Sequence, residues 1–196
     1  MPVTPKNVVT WPNHVVPYEI SETNLTEERT KVIHDAVQEL NARVGNAIFV
    51  AKTNQTGWAM FQWGESGSSD IGYVEARARE GQKIHLSTKW TEVERVKQTI
   101  HEMCHCLGFE HEWFASQYPL AACGPTSFAW DMRGTKMLEK QRTGVTTILP
   151  LDANSVMMYN EWRNRMPPVT RARFASVMSG DYLSSRDISA IKFLYA

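Results

Sequence analysis

Cysteine is scarce in this chain of 196 residues: there are three, Cys104, Cys106 and Cys123. Three are too few for a disulfide framework, and the odd count leaves at least one thiol free. An excess of charge of one sign is also missing. Lys+Arg and Asp+Glu both number 21, so the net charge is zero and the pI is near 7. That balance argues against non-specific binding to nucleic acid or to an anionic membrane, both of which need a basic excess. No run approaches the roughly 18 apolar residues of a membrane span. The opening MPVTPKNVV lacks the apolar centre of a signal peptide, so the compartment is not written at this end. No internal repeat or low-complexity segment occurs. What is present is ordinary globular composition, 42% hydrophobic and 21% charged, in a length that suits one large domain or two small lobes. Two sequons, at Asn24 and Asn54, would matter only in a eukaryotic secretory pathway.

Hydrophobic patterning predicts most of the secondary structure in the first 108 residues. His14 to Ile20 reads as a short strand, with Pro17 suggesting an edge or a bulge. Thr26 can cap a helix with Glu27 and Glu28 in its first turn and Val32, Ile33, Ala36, Val37 and Leu40 on its apolar face, ending near Gly45. Ile48 to Ala51, Trp58 to Trp63, Ile71 to Val74 and Lys83 to Ser87 read as strands, with Gly64 to Ser69 as a loop. Thr91 and Glu94 form a capping box for a helix whose apolar side is Val93, Val96, Ile100 and Leu107 and which stops at Gly108. Residues 112–183 read mostly as loop. A last helix is capped by Ser184, with Asp187 three residues on and Ile188, Ile191 and Leu194 on its apolar face. The expected organisation is one domain of two lobes, about 1–108 and about 109–196, with a junction at the end of the second long helix, where sites tend to sit.

That junction carries the chemistry: TIHEMCHCLGFEHEW, residues 99–113. His101 and His105 are four residues apart, so on a helix they point within about 40° of each other and both imidazoles can reach one ion. Glu102 lies to one side, placed to take a proton from an attacking water rather than to bind metal. Gly108 lets the chain turn, and His111 can swing back as a third ligand. Three nitrogen ligands with an open position describe a catalytic zinc site rather than a closed structural one. A bare HExxH is often only a polar helix face; the added glycine and third histidine make coincidence a poor account.

The cysteines offer a rival site. Residues two apart on a helix are separated by roughly 200°, so Cys104 and Cys106 face nearly opposite sides and cannot share an ion or pair. They read as small apolar helix residues. Cys104 lies as far to one side of the histidine pair as Glu102 does to the other, which leaves a tuning role open.

The extended motif HExxHxxGFxHE resembles the metzincin zinc endopeptidases, and Glu112 after the third histidine narrows this to the astacin family. Ser155-Val156-Met157-Met158-Tyr159 is similar to that family's S-x-M-x-Y turn. Weaker similarity runs through Trp11 to Tyr18, Ser69 to Val74 and Leu183 to Tyr195. The resemblance implies an α+β, two-lobed fold. Its N-terminal lobe has a twisted, mostly parallel sheet and two long helices, and its largely irregular C-terminal lobe has one terminal helix. It also implies one catalytic zinc ion on His101, His105 and His111, with Glu102 as general base. Met157 would form an apolar floor, Tyr159 would stabilise the oxyanion, and Gly108 would make the turn. Glu112 would hold the mature N-terminal amine, here near Pro2. Ile71, Gly72 and Tyr73 would lie on the substrate-binding edge strand. Arg163, Arg165, Arg171 and Arg173 fall where the family lines the pocket beyond the cleaved bond, which suggests a preference for an acidic residue there.

The same resemblance implies protein or peptide substrates, an inhibitory propeptide outside this chain, and secretion. The sequence departs from the family in three places. The family's two disulfides have no counterpart, Trp113 to Ala122 replaces an R-x-D-R-D segment, and Met158 stands where histidine is common. Two other classes stay open at this point: a zinc-holding pseudoenzyme or binding module, and a thiol-regulated protein.

Overall fold

The computed structural model describes residues 3–115, 117 and 145–195; Pro2, Cys123 and the segment 118–122 lie outside them. The chain divides into two compact units, one comprising Val8–Phe109 with Ile191–Ala196, the other Met1–Asn7 with Glu110–Ala190.

The unit built on Val8–Phe109 contains a five-stranded sheet. Its strands are β2 (Val16–Ile20), β3 (Phe49–Ala51), β4 (Ala59–Gly64), β5 (Ser68–Ser69) and β6 (Gln82–Ser87), in the order β3-β2-β4-β6-β5. β3, β2, β4 and β6 run parallel, and only the short edge strand β5 is antiparallel. Parallel strands need crossover connections: α1 (Glu27–Val44) links β2 to β3, a single turn, α2 (Glu75–Ala78), lies between β5 and β6, and the second long helix, α3 (Glu92–Cys106), follows β6. Burial alternates along β4, with Ala59, Phe61 and Trp63 inside, as period-2 geometry requires.

Helix α1 starts and stops where its sequence indicates. The Thr26 hydroxyl accepts the Arg29 amide at 3.2 Å, and Gly45 takes the left-handed turn at φ 83°. Val32, Ile33, Ala36, Val37, Leu40 and Val44 are buried. Asn41 ties the helix to β3: its side-chain oxygen accepts the Ile48 and Phe49 amides, and its amide donates to the Phe49 carbonyl.

Three expectations need correction in this unit. Pro17 lies in an interior strand, not at an edge; β2 bonds towards β3 through the Val16 amide and the Tyr18 carbonyl, so the Pro17 nitrogen faces β4, which pairs only from Tyr18 onward. Ile71–Val74 is not a strand, because Gly72 sits at φ +73° and its amide donates to the His105 carbonyl at 3.0 Å. The edge strand falls at Ser68–Ser69 instead, inside the expected loop. Val93 is 88% exposed, and α3 becomes fully buried only from Thr99 to Cys106.

The other unit pairs β1 (Val3–Pro5) with β7 (Val145–Thr147) and carries two short helices, α4 (Asn160–Arg165) and α5 (Pro168–Phe174). The hairpin of β8 (Met178–Ser179) and β9 (Leu183–Ser184) leads into α6 (Ser185–Tyr195). The two short helices correct the expectation of a loop. Their residues show no apolar period, but Pro168 opens α5 at a position where its missing N–H costs nothing. The core here is Trp113, Phe114, Ala115, Leu151, Ala153, Met158 and Met166. Met158 is thus an apolar core residue, which accounts for methionine at that position.

Candidate active site

The last two turns of α3 are buried on all sides, and the chain has arranged for their carbonyls. An α-helix leaves four C-terminal C=O groups without intrahelical partners. Here Cys104 O accepts from Phe109 N, and His105 O accepts from Gly108 N and Gly72 N. Cys106 O accepts from Trp11 Nε1 at 2.9 Å, and Leu107 O accepts from the Tyr195 hydroxyl at 2.9 Å. Gly108 makes the turn at φ +107°, where a Cβ would lie 2.5 Å from Val8 Cγ2, so no other residue fits.

This turn returns the Phe109 carbonyl to within 2.7 Å of His105 Nδ1. A carbonyl only accepts, so Nδ1 carries the proton and Nε2 keeps its lone pair. Burial pushes the His105 imidazole down to about 4, which keeps it neutral. The His101 and His105 rings stand edge to face, 4.7 Å between centroids, and both are buried. A neutral His105 with its Nε2 lone pair free of the proton, beside the His101 imidazole on one helix face, fits a divalent metal.

Glu102 is 4% exposed, and burial pushes its carboxyl up to about 8. Among the described residues, its Oε2 is buried without a hydrogen-bond partner. A Cβ built on Gly67 would lie 2.9 Å from Glu102 Oε1 and 2.2 Å from Trp90 Cζ2. Gly67 and the Trp90 indole therefore wall this carboxylate closely, a contact that no sequence period could reveal. Cys104 and Cys106 are buried thiols, and burial pushes the Cys106 thiol up. Buried apolar surroundings make a thiol unreactive.

In the other unit, His111 has extended backbone, φ −65° and ψ 143°, just before a 3-10 turn, Glu112–Phe114. Its ring stacks on Trp113 with centroids 4.1 Å apart and planes 11° apart. The Tyr159 ring approaches edge-on, 5.1 Å from His111 and 4.9 Å from Trp113. Tyr159 is 39% exposed, as a group meeting a ligand would be. The Glu112 amide donates to Met157 O at 3.1 Å, and Met157 is buried. Glu112 itself is buried, which pushes its carboxyl up to about 8, while the Asp152 amide donating to its Oε2 at 3.1 Å works the other way. The turn at 155–159 is held by Asp187. Its carboxylate accepts the Ser155 hydroxyl at 2.5 Å, the Val156 amide at 3.0 Å and the Ser184 amide at 2.9 Å. Asp187 is the residue sequence reading missed as a site support; its capping position was visible, its reach to the turn was not.

The residues expected to meet substrate are less uniform. Ile71 is half-buried. The Gly72 carbonyl accepts from Gln82 Nε2, and the Tyr73 amide donates to Val9 O, so both backbones are committed internally. Arg165 is paired with Glu161 at 2.7 Å, Arg171 donates to Asn164 Oδ1, and Arg173 lies over the Phe174 ring. Arg163 is half-buried, and among the described residues its buried Nε has no hydrogen-bond partner.

Against known proteins, the family model described as Astacin, a peptidase family, matches residues 3–119. No curated protein sequence matches the chain. Among solved structures, high choriolytic enzyme 1, a hatching enzyme zinc-protease from Oryzias latipes (medaka fish), is 19% identical with a TM-score of 0.60; 96% of this chain and 93% of that one are covered. A structure of myroilysin is 17% identical with a TM-score of 0.61, covering 98% of each chain. At these identities the likeness is one of fold.

Proposed function

Because the chain belongs to the astacin family of zinc metalloendopeptidases, we propose that it hydrolyses peptide bonds at a single zinc ion, with Glu102 as the general base. The observation that carries this reading is the Glu102 carboxylate. It is buried on the same helix as His101 and His105 and, among the described residues, has an oxygen with no hydrogen-bond partner. Leaving such an atom unsatisfied costs about 1–3 kcal/mol, a cost that a passive helix face would have no reason to carry.

His101, His105 and His111 would hold the ion, one ring nitrogen each. When bound, zinc supplies Lewis acidity, lowering the pKa of water towards about 7 and polarising the scissile carbonyl. Glu102 takes the proton of the attacking water and returns it to the leaving amine. Tyr159 donates its hydroxyl to the developing oxyanion. Met157 closes the site on its apolar side, and Glu112 anchors the segment after the third ligand.

The test is cleavage of a general protein substrate by Glu102→Gln. The variant should retain zinc and lose roughly 10²–10⁴ in kcat, the usual worth of a positioned general base. A variant that cuts normally rules out this mechanism. A pseudoenzyme would need neither Glu102 nor Tyr159, and burial leaves Cys104 and Cys106 little to contribute to thiol regulation.

Substrates on this reading are proteins or peptides, and the protein acts outside the cell after removal of a propeptide. The preference for an acidic residue after the cleaved bond rests on Arg163, since Arg165, Arg171 and Arg173 already have partners. Cleavage profiling on a peptide library should show acidic enrichment there, and Arg163→Ala should abolish it by weakening kcat/KM about tenfold, the scale of one charge-assisted hydrogen bond. A flat profile in the wild type discards the preference.

A further inference from the structure

The structure assigns Trp113 a positioning role: its indole fixes the ring plane of His111 and braces Tyr159 beside it. This inference rests on the zinc reading above. His101 and His105 come from a buried helix, and the Phe109 carbonyl holds His105 by its Nδ1. His111 lies outside that helical frame, on extended backbone beyond the helix end. Rotation of an imidazole about its last side-chain torsion is broad and roughly two-fold, so its surroundings must choose the plane in which its nitrogens point.

Trp113 provides the packing that does so. It lies two residues on, on the 3-10 turn, and its ring is parallel to His111 within 11° at 4.1 Å. Trp162 stacks on Trp113 with centroids 5.3 Å apart and planes 13° apart, so the three rings form one column. Tyr159 leans on this column, touching both His111 and Trp113. Tyr159 occupies the position just before α4, and Trp162 is three residues on at the same helix start, on the same face. The indole of Trp113 therefore contacts the third ligand, the oxyanion tyrosine and the helix carrying that tyrosine. It is 6% exposed and part of the core of its unit, so the column is fixed rather than adventitious.

A positioning residue acts on metal affinity and geometry as well as on rate. The experiment uses the purified full chain as wild type, Trp113→Leu and Trp113→Phe, each with its fold checked by circular dichroism and thermal melting. Zinc dissociation constants are read by competition with a chelator, coordination is read from the visible spectrum of the cobalt-loaded protein, and kcat and KM are measured separately. Loss of an outer partner of a metal-bound histidine typically weakens metal binding about 10–100-fold. Trp113→Leu should lose about tenfold or more in zinc affinity and alter the cobalt spectrum, with kcat reduced and KM little changed. Trp113→Phe, which keeps a stacking ring, should recover most of the affinity.

If Trp113→Leu does not fold, Trp162→Leu takes its place, with a smaller but measurable loss of affinity and the same spectral change expected. A folded Trp113→Leu, or in its stead Trp162→Leu, with wild-type zinc affinity and an unchanged cobalt spectrum overturns the inference while leaving the zinc reading intact. A wild type that takes up no zinc overturns both.

Discussion

One hydrogen atom is all that Gly67 presents to the Trp90 ring and to Glu102. Its loop offers no reason in sequence for glycine, since its backbone dihedrals are not of the left-handed kind. The reason is space: a methyl group would lie 2.2 Å from the indole and 2.9 Å from the carboxylate oxygen. An aromatic ring cannot fold out of the way as a lysine tail can, so Gly67→Ala must displace Trp90 or Glu102. Misplacing a catalytic group by about 1 Å can cost on the order of a hundredfold in rate. We expect Gly67→Ala to lower kcat by between about ten- and a hundredfold while zinc content stays at wild-type level. Steady-state kinetics with metal analysis on the same sample decides it, and unchanged kcat would remove Gly67 and Trp90 from the site. That His101 and His105 share one side of a helix, with Glu102 next to them, was legible from spacing, because a helix converts sequence separation into direction. Gly67 was not, since loop and helix meet only in the folded chain.

At the scale of elements, the start of α6 serves two ends. Asp187 and Ser184 cap it reciprocally: the Asp187 amide donates to Ser184 Oγ, and the Ser184 amide donates to the Asp187 carboxylate. The same carboxylate holds the turn that leads to Tyr159 through Ser155 and Val156. Sequence predicted the cap, because a capping box has a fixed spacing. It could not predict the second task, which joins residues more than thirty positions apart. Burial raises the Asp187 carboxyl above its ordinary 3.8, outweighing the donors that pull it down. A raised folded pKa means the folded chain holds this proton more tightly than the unfolded chain. Its contribution is complete below 3.8 and is lost as the pH rises through the folded value. Melting wild type and Asp187→Asn side by side should show the wild-type advantage shrinking with rising pH. An advantage independent of pH contradicts that account. At neutral pH the variant should still be less stable, by about 1–3 kcal/mol, the cost of unpairing buried amides.

Across the whole molecule, legibility followed the kind of order present. The sheet and the two long helices were readable because period 2 and period 3.6 mark faces, and caps mark ends. Errors fell where a local rule yielded to a tertiary contact: Gly72 leaves the strand pattern to donate to His105 O, and Val93 sits on a first turn that never reaches the core. The unit after Phe109 was read as loop because it is held by an apolar cluster and by buried carboxylates, Asp152 and Asp187, accepting from distant partners. Such links have no period. The family match ends at residue 119, whereas the likeness of fold covers 96–98% of the chain at 17–19% identity. Cores tolerate such divergence when volume and patterning are kept.

The central claim is that this chain cleaves protein through one zinc ion held by His101, His105 and His111. Metal analysis and a protein-cleavage assay on one purified preparation test it most directly, before chelation, after it, and after zinc is restored. We predict about one zinc per chain, as a single three-histidine site requires, with activity lost on its removal and regained on its return. Cleavage that persists undiminished in the zinc-free protein would contradict it.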